Sequence, residues 1–183
     1  MTPLLALNHR ELILSHLPAD GLMLEWGCGG STRWFLDRLI GGQKLVTVEH
    51  DERWLRQCGI AHRDWIPRLQ LPTAHIGQNA TQWEESPVGL AGYICAPEAS
   101  QADVILIDGI ARSACLAWAA MNAKSGTRVF LHDVANSKDL EGKPVDRMRW
   151  YVWAMNSPRL RDSQIVPAAP GEYPPSMWCA TVK

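Results

Sequence analysis

Short apolar runs alternate with segments of helical spacing along most of this chain, and that alternation admits very few folds. The runs are residues 22–26, 44–48, 71–76, 103–107 and 127–131, and the helical segments are 9–17, 31–40, 51–58 and 114–123. Runs that are apolar almost throughout read as strands buried on both faces, which need helices above and below. After Asp133 a polar linker leads to a helix expected over 145–155. Two last runs, 162–166 and 177–182, flank residues 167–175, where four prolines exclude a strand. The expectation is a single α/β domain over 1–183: a doubly wound, mostly parallel seven-stranded sheet with helices on both faces, its last strands forming an antiparallel hairpin. Residues 77–101 lack clear periodicity and read as loop with one short helix.

Composition narrows the function. The chain has 183 residues, 46% apolar and 20% charged, with a net charge of -1. That is globular material with no bulk attraction for nucleic acid or an anionic membrane. Five widely spaced cysteines form no CxxC pair and no Cys/His cluster at metal spacing, which fits a reducing, cytoplasmic setting. The apolar opening breaks at Asn8 without a basic region before it, so it reads as no signal peptide, and no apolar run approaches the roughly 20 residues of a membrane span. The expected partner is a small molecule, with no nucleic acid and no membrane; nothing here speaks to the oligomeric state.

In a doubly wound sheet ligands lie beyond the carboxyl ends of the strands, so the turn after the first strand comes first. It reads Glu25-Trp26-Gly27-Cys28-Gly29-Gly30-Ser31-Thr32. Glycines let a backbone approach a ligand, and the helix that follows offers free N–H donors. A dinucleotide turn needs a third glycine where Thr32 stands, and Glu25 would set negative charge beside a pyrophosphate. A carboxylate there suits a cation instead, such as S-adenosylmethionine with its sulfonium and ammonium groups.

These residues resemble motif I of the class I S-adenosylmethionine-dependent methyltransferases. Asp103-Val-Ile-Leu-Ile-Asp108-Gly109 is similar to that family's fourth strand and Val129-Phe-Leu-His132-Asp133 to its fifth, so the resemblance spans about residues 10–135. It implies that Glu49, 22 residues after Gly27, binds the ribose hydroxyls of the cofactor, with His50 beside the adenine. The aspartate that many members use after strand three is an amide here, Asn79. Small-molecule and sugar methyltransferases often carry D-G-x-H after strand four. That histidine is absent, and Asp108, Gly109, Arg112 and Cys115 match D-G-x-x-R-x-x-C instead.

The cofactor set is therefore Glu25, Trp26, Gly27, Gly29, Gly30, Ser31, Thr32, Glu49, His50, Asn79 and Asp108. Asp108, His132 and Asp133 end adjacent strands and are the candidates for moving a proton. The function expected is methyl transfer to an oxygen or nitrogen of a small-molecule or sugar acceptor; the alternative is a non-catalytic nucleotide-binding or scaffold module that keeps the fold. Two neighbouring carboxylates with Asn136 could attract a divalent cation, but Val134 and Ala135 separate the donors, and no metal is expected. Asp51 reads as a helix cap. Trp83 adjoins the expected cleft. Cys28, with no basic partner in view, reads as a small buried hydrophobe.

Overall fold

The computed structural model describes residues 5–58, 61–74, 87–134, 137–138, 144–145, 148–172 and 176–183. Its main sheet comprises β1 (Leu22–Trp26), β2 (Lys44–Glu49), β3 (Trp65–Leu69), β4 (Val104–Ile107), β5 (Arg128–His132), β8 (Leu160–Pro167) and β9 (Ser176–Val182). They lie in the order β3-β2-β1-β4-β5-β9-β8. The first five are parallel, and β9 runs antiparallel between β5 and β8. The expected topology holds, closing hairpin included.

Strand periodicity sorts the side chains onto two faces. Met23, Leu45, Val104, Leu106, Phe130 and Cys179 join Ile13 of α1 (Leu7–Ser15) and Phe35 of α2 (Gly30–Leu36) in one core. Leu24, Val46, Ile105, Leu131 and Ala180 form the other with Tyr93 of α4 (Ala91–Ile94), Leu116 of α5 (Arg112–Asn122) and Tyr151 of α6 (Met148–Met155). The period of two then carries polar residues to the α1 face at the carboxyl ends: Glu25 two residues after Met23, Thr47 and Glu49 after Leu45, Asp108 after Leu106, His132 after Phe130. The chemistry gathers above one half of the core because the strands keep step.

Several boundaries differ from expectation. The third strand is 65–69, not 71–76. Pro67 argues against a strand in sequence, yet β3 is an edge paired only with β2, where a missing N–H on the open side goes unfelt. Leu71 lies in an exposed loop. Helix α2 stops at Leu36, not 40; past it the side chain of Gln43 accepts from the Ile40 N–H and donates to the carbonyls of Leu17 and Pro18, so a side chain closes the turn. Helix α3 (Glu52–Cys58) is capped as expected, the Arg53 N–H donating to Asp51 Oδ1 at 2.8 Å. Residues 137–138 and 144–145 pair as a two-stranded ribbon, β6 (Ser137–Lys138) and β7 (Pro144–Val145), so α6 begins at Met148 rather than 145.

Candidate functional site

The first strand's turn is held from below. Gly27 has φ +91° and its N–H donates to the Val48 carbonyl at 2.8 Å. A Cβ built on it would lie 2.6 Å from Gly109 Cα, so the turns after β1 and β4 touch backbone to backbone. Gly30, Ser31 and Thr32 open α2, all buried. The Gly29 N–H donates to Thr32 Oγ1 at 2.9 Å, and that hydroxyl donates to Glu25 Oε2 at 2.8 Å. Glu25 Oε2 also accepts from Thr47 Oγ1, which accepts from the Trp65 indole N–H.

This corrects two readings. Glu25 is 1% exposed, and burial pushes its pKa well above the usual value despite two hydroxyl donors. It braces the turn from within instead of offering charge to a ligand. Trp26 lies on the opposite face, fully buried, its Nε1–H donating to the Tyr93 carbonyl at 2.8 Å. It is core, not cleft.

At the end of β2, Glu49 Oε2 accepts from the Cys28 N–H at 2.8 Å, and Oε1 accepts from the amides of His50 and Asp51 at 2.7 and 2.9 Å. His50 Nδ1 lies 2.7 Å from the same Oε1, and its ring meets Tyr93 edge-on. Burial raises the Glu49 pKa, but these donors outweigh it and hold the group below its ordinary value. A carboxylate has about four lone-pair positions, so Oε2, with its single amide, keeps room for a hydroxyl donor.

At the ends of β4 and β5, His132 Nδ1 meets Asp108 Oδ1 at 2.5 Å. Burial opposes the Asp108 charge, but His132 and Arg112 outweigh it and keep its pKa below the ordinary value. The Arg112 guanidinium ties the two strand ends together. It donates to the carbonyls of Gly109 at 2.8 Å, His132 at 2.7 Å and Asp108 at 3.2 Å, and lies 3.5 Å from Asp108 Oδ1 and 3.7 Å from Asp133 Oδ2. Asp133 adopts φ +60°. The two carboxylates expected to face each other thus share a cation supplied by the chain. His132 Nε2 is buried and meets no hydrogen-bond partner among the described residues.

The structure therefore brings Gly27, Gly29, Thr32, Glu25 and Glu49 into one turn assembly and Asp108, His132 and Asp133 into another, in contact through Gly27 and Gly109. Asn79, Trp83 and Asn136 lie outside the described residues. Sequence reasoning placed Arg112 in the pattern that follows Asp108 but gave it no role in the site. It missed Thr47 and Tyr93, which only the packing identifies.

No protein-family model and no curated protein matches the sequence, whereas solved structures do. A provisionally assigned O-methyltransferase from Klebsiella pneumoniae aligns over 98% of this chain and 81% of its own, at 21% identity and a TM-score of 0.57. A Staphylococcus aureus protein, provisionally a caffeoyl-CoA O-methyltransferase, aligns over 100% and 86%, at 12% and 0.64. The O-methyltransferase TomG of Streptomyces achromogenes, solved with S-adenosylmethionine, aligns over 95% and 78%, at 16% and 0.59. At these identities the likeness is one of fold.

Proposed function

We propose that this chain, whose fold is that of the class I Rossmann-like methyltransferases, transfers a methyl group from S-adenosylmethionine to an oxygen or nitrogen of a small acceptor. One observation carries the reading: Asp108 fixes His132 through Nδ1, leaving Nε2 as a buried acceptor without a partner among the described residues, with β4 between it and a glycine turn backed by Glu49. Bound there, the cofactor would supply a methyl carbon activated by its sulfonium. The turn at Gly27 and Gly29 would let the cofactor approach the backbone, the free side of Glu49 Oε2 would take a ribose hydroxyl, and His50 and Asn79 would flank the adenosine.

His132 then acts as general base. Its Nε2 takes the proton of the acceptor hydroxyl or amine, and Asp108 stabilises the imidazolium that forms. Arg112 keeps the β4 and β5 ends at the spacing that transfer requires. The acceptor has a weakly acidic or protonated nucleophile, since one already ionised at neutral pH would have no use for the base.

The test is calorimetric titration with S-adenosylhomocysteine beside methyl transfer to a panel of hydroxyl and amine acceptors. Wild type should bind, Gly29→Val should not while keeping its thermal transition, and NAD should give no heat. His132→Gln should cut turnover by about 10²–10⁴-fold while changing S-adenosylmethionine affinity little. Binding by Gly29→Val equal to wild type discards the site, and full turnover by His132→Gln discards the base. Binding with no turnover on any acceptor would favour the non-catalytic module.

A further inference from the structure

Cys28 sits in the glycine turn and Cys58 ends α3, thirty residues apart in sequence, yet the two thiols are neighbours in the fold. Cys58 Sγ also lies 3.8 Å from the Gly29 carbonyl. Both side chains are partly exposed, unlike Cys115 and Cys179, which are buried, while the exposed Cys95 lies on α4's far end. The hydrogen bond to Cys28 draws the Cys58 pKa below that of an ordinary thiol, and the same bond pushes that of Cys28 up. With Cys58 Sγ against the turn that carries Cys28 and both side chains partly exposed, an oxidant can reach one thiol while the other stands beside it to resolve the product. Helix α3 buries none of its residues, so it can shift without opening either core.

We propose that Cys28 and Cys58 are an oxidation site, closed by a peroxide-class oxidant into a disulfide that pins the glycine turn to α3 and shuts off cofactor binding. The Cys58 thiolate attacks a peroxide oxygen and the O–O bond breaks, giving a sulfenic acid and hydroxide. The Cys28 sulfur attacks that sulfenic sulfur, the S–S bond forms, the S–O bond breaks, and the thiol proton leaves with the departing oxygen as water. Both sulfurs are oxidised by one electron equivalent each, and the peroxide oxygens are reduced. A covalent S–S bond is much shorter than a thiol contact, so the turn and α3 must close on each other. That displaces the Cys28 and Gly29 backbone, which lies between Glu49 and Thr32. Thiol reductants reverse it. The effect on binding rests on the function proposed above; the disulfide itself does not.

The experiment treats the reduced full-length protein with stoichiometric hydrogen peroxide, blocks remaining thiols with iodoacetamide and digests with trypsin without reductant. Cleavage after Arg10, Arg33, Arg56 and Arg63 places Cys28 in 11–33 and Cys58 in 57–63, so a cross-linked pair of these peptides is diagnostic. The pair should predominate, S-adenosylhomocysteine affinity should fall at least about tenfold and return with dithiothreitol, and Cys58→Ser should keep its affinity through the same treatment. Sulfonic acids or links through Cys95 in place of that pair overturn the proposal, as does unchanged affinity in the cross-linked protein. If the reduced protein binds no S-adenosylhomocysteine, the methyltransferase reading falls and the peptide map alone decides the oxidation site.

Discussion

Gly109 shows how narrowly single residues set this site. A Cβ there would run into the Tyr93 hydroxyl and stand 3.1 Å from Gly27 Cα, in a place where neither turn can yield without moving a strand end. Gly109→Ala should therefore destabilise the fold by about 1–3 kcal/mol, measured by urea unfolding. Tyr93→Phe in the same chain removes the hydroxyl and should recover part of the loss, the Gly27 contact retaining the remainder. A Gly109→Ala protein as stable as wild type would show that the two turns do not touch. Arg112 works at the same scale in a different way. Its planar fork reaches three carbonyls and two carboxylates, which a lysine ammonium could not satisfy together.

At the scale of elements, α1 is fastened to the end of β8 and the chain that follows it. Asn8 Nδ2 donates to the Pro167 carbonyl at 2.9 Å and Asn8 Oδ1 accepts from the Ala169 N–H at 3.2 Å, while the Leu7 N–H donates to Glu172 Oε2. His9, fully buried, meets the Val166 carbonyl at 3.0 Å. A helix only nine residues long gains little stability alone, so these contacts and the packing of Ile13 position it above β5. Asn8→Ala should cost about 1 kcal/mol and speed proteolysis within 167–172, read by limited digestion. An unchanged cleavage rate would mean that packing alone seats the helix. The outer strands show the same economy. β3 tolerates Pro67 because it is an edge, and β8 keeps charged Arg161 and Asp162 on its exposed side, with a register shift that discourages further pairing.

Over the whole molecule, buried carboxyl groups give stability two opposing pH limbs. Glu49 and Asp108 have folded pKa values below the 4.5 and 3.8 of the free groups, so their contribution is complete above those values and is lost as pH falls through the folded ones. Glu25 has a folded pKa well above 4.5, so the unfolded chain releases its proton first and stability declines as pH rises from 4.5 toward the folded value. Relative to wild type, Glu25→Gln should gain stability as pH rises above 4.5 toward the folded value, by urea unfolding at each pH. A constant gap would mean that Glu25 is ionised in the folded protein. Among the described residues no helix is long and apolar enough to cross a membrane.

Local pattern was enough for the alternating architecture and for every strand of the main sheet but β3, because an apolar run followed by a glycine turn and a helical segment has one low-energy use, and right-handed crossovers order the strands. It was also enough to mark the glycine turn at Gly27 and the polar strand ends at Glu49, Asp108 and His132, while the roles expected of them rested on the resemblance to the methyltransferase motifs. Tertiary structure decided what those residues touch. Glu25 read as a charge for a ligand because its sequence neighbours are glycines, but its spatial neighbours are Thr32 and Thr47, and burial turns it into a brace. Trp26 and Glu25 are adjacent in sequence and lie on opposite faces, a consequence of the period of two that places one in each core region. β3 was hidden because its pattern is broken by a proline that only an edge position tolerates. The Arg112 clamp and the Cys28–Cys58 contact join segments 20 and 30 residues apart, and a distance of that kind is set by packing of whole elements, which no local spacing encodes.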